Sequence, residues 1–198
     1  MPRKPDKRLC ILDAAAEMFA ARPFDEVRLE DLARQLGIGK GTIYLYFKSK
    51  EELYGALLYE SVSRLVDRLS ACAAKDYPSA WDTLHCVVRE HVRWAHSAPH
   101  FYQMLGPGEQ RSPVPGLREK RREMGRLLER IIRRGVRSGE FVDPRPDLTA
   151  QFIPGCIRAA MRHGPARLSA EGLTRQIMRV IGTGIREPDA TGKKKAAR

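Results

Sequence analysis

Gly37-Ile38-Gly39-Lys40-Gly41-Thr42-Ile43-Tyr44-Leu45-Tyr46-Phe47-Lys48-Ser49-Lys50-Glu51-Glu52-Leu53 is the most informative stretch of this 198-residue chain. Its glycine turn opens a short helix carrying hydroxyls, phenols and lysines. Gly41 weakens that helix from within but lets another backbone come close. Ser49-x-x-Glu52 then reads as a capping box starting the next helix. A short helix with polar tips, braced by longer ones, suits a DNA major groove.

Working outward, the periodicity predicts helices throughout. The first spans about Asp6 to Ala21, with Leu9, Leu12, Ala16 and Phe19 on one face. Leu29, Leu32, Ala33 and Leu36 give the second helix its stripe, and Gly37 ends it as a left-handed cap. The third covers Lys40 to Tyr46, with Ile43 and Phe47 inward. A long helix follows from Ser49 to about Ala74, and Ser79 caps another that ends near Pro99. Gly106 to Gly116 reads as a loop. Further helices are expected at Leu117–Val136, Leu148–His163 and Ser169–Arg186, with Pro154-Gly155 kinking or splitting the second of these.

The composition, 42% apolar with net charge +12, allows one or two buried cores and suggests an anionic partner. The charge is unevenly placed: +1 over residues 1–55, −1 over 56–110, +7 over 111–137 and +5 over 138–198. The surplus lies away from the short helix, so local clusters carry the DNA argument: Arg3, Lys4, Lys7 and Arg8, then Lys40, Lys48 and Lys50. The basic arm reads equally well as a phosphate-tracking segment or a solvated terminus. No apolar run has the length of a membrane span or the character of a signal core. The scattered cysteines (Cys10, Cys72, Cys86, Cys156) read as reduced thiols in a cytosol.

Residues 29–47 fit a helix-turn-helix. Taken further, Leu29-Glu-Asp-Leu-Ala-Arg-Gln-Leu-Gly-Ile-Gly-Lys-Gly-Thr-Ile-Tyr-Leu-Tyr-Phe-Lys-Ser-Lys-Glu-Glu-Leu53 resembles the N-terminal domain of the tetracycline-repressor (TetR) family. Ile11-Leu-Asp-Ala-Ala-Ala-Glu-Met-Phe19 is similar to that family's first helix. The match covers about residues 8–60. Arg28 stands where the family has a capping Ser or Thr, and Gly39 where it often has Ser.

The resemblance implies an all-α protein: a helix-turn-helix DNA-binding domain over 1–54 and a helical effector-binding and dimerisation domain over 55–187; residues 188–198, with little apolar content, read as a disordered basic tail. It implies base or phosphate contacts from Lys40 and Thr42, backbone approach at Gly41, phosphate or thymine-methyl contacts from Tyr44 and Tyr46, and a phosphate contact from Lys50. Without the resemblance, packed tyrosines and solvated lysines would be the favoured reading. Leu45 is left open between solvent and a thymine methyl.

The resemblance also implies a homodimer on a palindromic, double-stranded operator, built on the last two helices. Gly155, Ala159, Ala160, Gly182 and Gly184 would permit close approach, and Ile177, Ile181 and Ile185 would supply apolar area. An effector pocket is implied among the middle helices, with His91, Trp94, Phe101, Tyr102, Met104, Met124, Leu128, Phe152 and Met161 as candidate liners. Each of these also reads as core. His85, His91, His96 and His100 invite a metal site, but Pro99 should end the helix that would align His96 with His100, so none is expected. Cys86 and Cys156, among apolar neighbours, read as buried inert thiols.

The expectation is therefore a cytoplasmic, dimeric, sequence-specific transcriptional repressor released by a small-molecule effector, without cofactor, metal or membrane partner. The alternative is a ligand-independent DNA-binding accessory protein. Gly37-x-Gly39-x-Gly41 fits neither a dinucleotide fingerprint nor a P-loop, and no acid–base or nucleophile constellation appears, so no enzyme is expected.

Overall fold

The computed structural model describes residues 6–98, 114–165 and 167–185. These form eight α-helices and one 3-10 turn: α1 Lys7–Ala21, the turn Phe24–Glu26, α2 Leu29–Gln35, α3 Lys40–Tyr46, α4 Lys50–Ala73, α5 Ala80–Ser97, α6 Leu117–Arg137, α7 Pro146–His163 and α8 Ala170–Ile185. The described residues contain no strand. Residues 1–5, the stretch 99–113, residue 166 and everything after Ile185 lie outside them. So do most of the basic arm, the Gly106–Gly116 loop except its end, His100, Phe101, Tyr102, Met104 and the tail.

The chain divides into two compact units. The first takes α1, α2, α3, α4 as far as Val66, and α6 as far as Arg121. The second takes α4 from Asp67, α5, α6 from Arg122, α7 and α8.

The first unit is organised by a core of Ile11, Leu12, Ala15, Phe19, Leu29, Leu32, Ile43, Phe47 and Leu53, all buried. The helix starts differ. Asp6 accepts from the Arg8 N–H at 2.9 Å to cap α1. Arg28 gives α2 no side-chain cap, as its chemistry requires. Gly37 has φ 64, the left-handed turn that separates α2 from α3 and that an L side chain resists. At α4, Ser49 Oγ accepts from the Glu52 N–H at 3.1 Å, while the Glu52 carboxylate accepts from the Lys48 N–H at 2.7 Å. That is the reciprocal satisfaction of a capping box, shifted one residue outward.

In the second unit, Ser79 Oγ accepts from the Asp82 N–H at 3.0 Å, and Glu140 accepts from the N–H groups of Ala80 and Trp81 at 2.8 Å each. Three orphan donors at the α5 N-terminus are thereby paired. α7 continues through Pro154 and is not split.

Three expectations change here. Ile177, Ile181 and Ile185 are buried within the second unit, because their stripe on α8 faces inward. A Cβ at Gly182 would come 2.7 Å from the Trp81 ring, so that glycine serves packing inside the unit. Cys72 and Cys86 are joined by a disulfide, their Cα atoms 6.5 Å apart, whereas Cys10 and Cys156 are free and exposed. Cys156 is therefore not the buried thiol its neighbours suggested.

Candidate nucleic-acid interface

α3 is anchored by one side chain within it and one just after it. Ile43 and Phe47 lie one turn apart and are completely enclosed by α1, α2 and α4 residues. Fixing that face leaves the opposite one outward. Tyr44 is 43% exposed, Leu45 83% and Tyr46 38%. Gly41 is also exposed, and Thr42 is half-buried, with its N–H donating to Gly39 O at 2.8 Å. Lys40, Gly41, Tyr44 and Tyr46 thus stand together on an exposed surface, with Thr42 at its edge.

Lys40 is exposed but engaged. Its ammonium pairs with the Glu30 carboxylate at the start of α2 and lies 5.6 Å from the Tyr44 ring centroid. The shared hydrogen bond raises the Lys40 pKa and lowers that of Glu30. In solvent such a pair contributes little to stability. It instead holds the ammonium beside the phenol. Glu30 carries no motif signal; only its place in the first turn of α2 brings it to α3.

Lys50, expected to meet a phosphate, is turned inward in the free chain. Its ammonium donates to Phe24 O at 3.0 Å and Val27 O at 3.3 Å, and lies 4.3 Å from the Phe24 ring centroid. It is half-buried. A four-carbon stem can reach inward as readily as outward, and here two backbone carbonyls draw it in. Phe24 in turn packs with Phe19 and Tyr54 at 5.8 and 5.2 Å between ring centroids. Lys50 thus ties the start of α4 to the 3-10 turn.

The effector candidates divide as well. His91, Trp94, Met124 and Leu128 are buried in the second unit, with the His91 and Trp94 rings 6.5 Å apart. Desolvation pushes the His91 pKa down to about 4. Met161 is half-buried. Phe152 is 57% exposed, so it lines no enclosed space; its position on α7 points away from the buried Ile153 and Ile157. His96 places its two ring nitrogens 3.0 Å from Val92 O and Leu168 O. Among the described residues no three His, Cys, Asp or Glu side chains gather as metal ligands would. Nor is any described helix long and apolar enough to cross a membrane.

Comparison with known proteins agrees with this geometry. Residues 11–57 match the model for bacterial regulatory proteins of the tetR family, and residues 77–162 match a tetracyclin repressor-like C-terminal domain. A fatty acid metabolism regulator protein of Bacillus subtilis is 30% identical over 164 residues, covering 79% of this chain and 82% of that protein. The transcriptional repressor KstR2 of Mycolicibacterium smegmatis is 27% identical, covering 93% of each. Among solved structures, a TetR/AcrR-family regulator from Thermobifida fusca aligns with a TM-score of 0.73 at 29% identity, covering 92% of this chain and all of that one. The regulator FadR of Bacillus subtilis, solved with stearoyl-CoA, shares the fold at a TM-score of 0.71 and 24% identity, with 90% and 99% coverage. With both family models matched over most of its length, this chain belongs to the TetR family of bacterial transcriptional regulators.

Proposed function

We propose that this regulator is a homodimeric repressor that binds a palindromic operator and leaves it when a long-chain acyl-CoA binds. The observation that carries the DNA part is the outward surface of α3, where Gly41, Tyr44 and Tyr46 stand with Lys40 while Ile43 and Phe47 hold the helix from behind. Thr42 completes the reading face. A seven-residue helix gives too few contacts to hold DNA alone, so two half-sites are needed. Phe152, 57% exposed on α7, and Val180, 54% exposed on α8, supply the apolar area for pairing.

The effector class is supported by the name of the Bacillus subtilis relative and by the stearoyl-CoA held in the FadR structure. The basic part of α6 in the second unit, with Arg130 and Arg137 exposed, complements the phosphates of such a thioester. The buried apolar surface at Trp94, Met124 and Leu128 suits its chain. Because α4 contributes to both units, an effector that prefers one setting of that helix can shift operator affinity.

The test is selection of genomic DNA fragments by the purified protein, with Tyr44→Ala as control, followed by titration with acyl-CoA thioesters of graded length. Saturable binding to a palindrome, lost in the variant and released by a long acyl-CoA but not by free coenzyme A, is expected. Sequence-blind binding indifferent to Tyr44 would sink the regulator mechanism. Operator binding that no thioester releases would leave a DNA-binding protein without this effector.

A further inference from the structure

Two residues of α3 have no explanation in the fold itself. Gly41 has an ordinary helical backbone, and a Cβ placed there would meet nothing within 4 Å. A glycine that neither turn geometry nor packing requires costs a helix stability. Leu45 is 83% exposed, well beyond the other large apolar side chains that reach solvent among the described residues. A lone exposed leucine is ordinary. Leu45, however, lies between Tyr44 and Tyr46, which are themselves part-exposed. Gly41 and Leu45 are four residues apart, so they share one helical face, and that face lies opposite Ile43. The side chain that projects furthest therefore stands one turn from the point where a partner's backbone can come closest.

Resting on the operator-binding function, we infer that Leu45 reads sequence by covering the 5-methyl group of a thymine in the major groove. The chemistry is specific. Leucine has no hydrogen-bond donor or acceptor, so it cannot read the polar edge of any base. The thymine methyl is the one apolar group that the major-groove edge of the four bases presents. Tyr44 and Tyr46 on either side exclude water from the contact, and Gly41 lets α3 sit deep enough for it to form. Burying about one methyl group per half-site corresponds to roughly a fourfold change in affinity for each half-site.

The experiment begins with an operator selected from random-sequence DNA by the full-length protein. Each symmetric thymine pair is then replaced by deoxyuridine, which removes only the methyl group. Wild type and Leu45→Ala are titrated on every duplex by fluorescence anisotropy. One symmetric pair is expected to cost wild type roughly fourfold per half-site. Leu45→Ala binds the thymine and deoxyuridine duplexes equally. Its melting temperature stays with wild type, because Leu45 packs against little. Repeating the selection with Leu45→Gln should return a changed base at that position. Indifference of wild type to every replacement overturns the inference and leaves the regulator standing. So does a deoxyuridine penalty that persists in Leu45→Ala, or an unchanged consensus for Leu45→Gln. Failure to select any sequence overturns operator binding, and the inference with it.

Discussion

The Lys50 ammonium lies 3.0 Å from the carbonyl oxygen of Phe24 and 4.3 Å from the centroid of the same residue's ring. Phe24 thus accepts a hydrogen bond at its backbone carbonyl and a cation–π contact on its ring, both from the first residue of α4. The consequence is structural. Lys50→Met keeps the alkyl stem and removes the charge. It should lower stability by about 1 kcal/mol, after discounting for partial exposure. The salt dependence of operator binding should stay as in wild type. A phosphate-bound Lys50 would give the reverse: unchanged melting, and a log–log salt slope shallower by about 0.9 per lost contact. Thermal unfolding and titrations at several salt concentrations separate the two.

Glu30 holds the Lys40 ammonium that the reading surface presents. The pair is exposed, so Glu30→Gln should change stability by less than about 0.5 kcal/mol. Operator affinity should rise, because Lys40 no longer chooses between a carboxylate and a phosphate, and an anionic group near the DNA is gone. The salt slope should steepen by up to about 0.9 per half-site. A fall in affinity would mean that Glu30 positions Lys40 for its contact rather than competing for it.

The helices of the first unit were legible because several local signals coincide there. The Leu29, Leu32 and Ala33 stripe, the Gly37 turn and the Ser49–Glu52 cap each mark a boundary without reference to the others. What stayed hidden depends on direction. Lys50 could have reached a phosphate or two carbonyls, and backbone carbonyls leave no trace in composition. Phe152 and Ile177 are both apolar residues on helices, and periodicity alone does not say which stripe its own unit buries. Cys72 and Cys86 lie 14 residues apart on different helices, so only the packing of α4 on α5 brings them together. The Lys40–Glu30 pair is likewise a product of the angle between α2 and α3.

Gly41→Ala separates folding from DNA contact. The added methyl meets nothing within the protein, and the backbone there is ordinary helix. Stability should therefore rise by about 0.5–1 kcal/mol. Operator affinity should fall by on the order of tenfold if α3 approaches DNA through the Gly41 backbone. Melting curves and operator titrations on one preparation test both halves. Affinity equal to wild type would place Gly41 away from the DNA.

Phe152→Glu tests the assignment of the exposed α7 and α8 surface to pairing. Phe152 is mostly exposed, so a charge there should leave the fold of the chain intact. Sedimentation should show monomers at concentrations where wild type is dimeric. Operator affinity should drop by on the order of a hundredfold, because two linked half-sites become two separate ones. A variant that stays dimeric but loses its response to acyl-CoA would return Phe152 to the effector site.

His91 gives a pH test of the second unit's interior. Burial pushes its pKa from 6.5 down to about 4, so the folded protein keeps it neutral. In the unfolded chain the imidazole takes up a proton near its ordinary value. Between the two values the unfolded state holds the extra proton, and stability rises with pH. The contribution is fully present above about pH 6.5 and is lost as pH falls towards 4, reaching on the order of 2–3 kcal/mol. Asp147, held down to about 2 by Arg145, responds only at lower pH and does not mask this window. Denaturant unfolding of wild type and His91→Met at pH 7.5 and 5.0 isolates the effect, and the variant should show the flatter dependence. Equal slopes would mean that water reaches the imidazole. The surroundings of Trp94 would then be hydrated rather than a filled core, and a thioester entering there would have to displace that water.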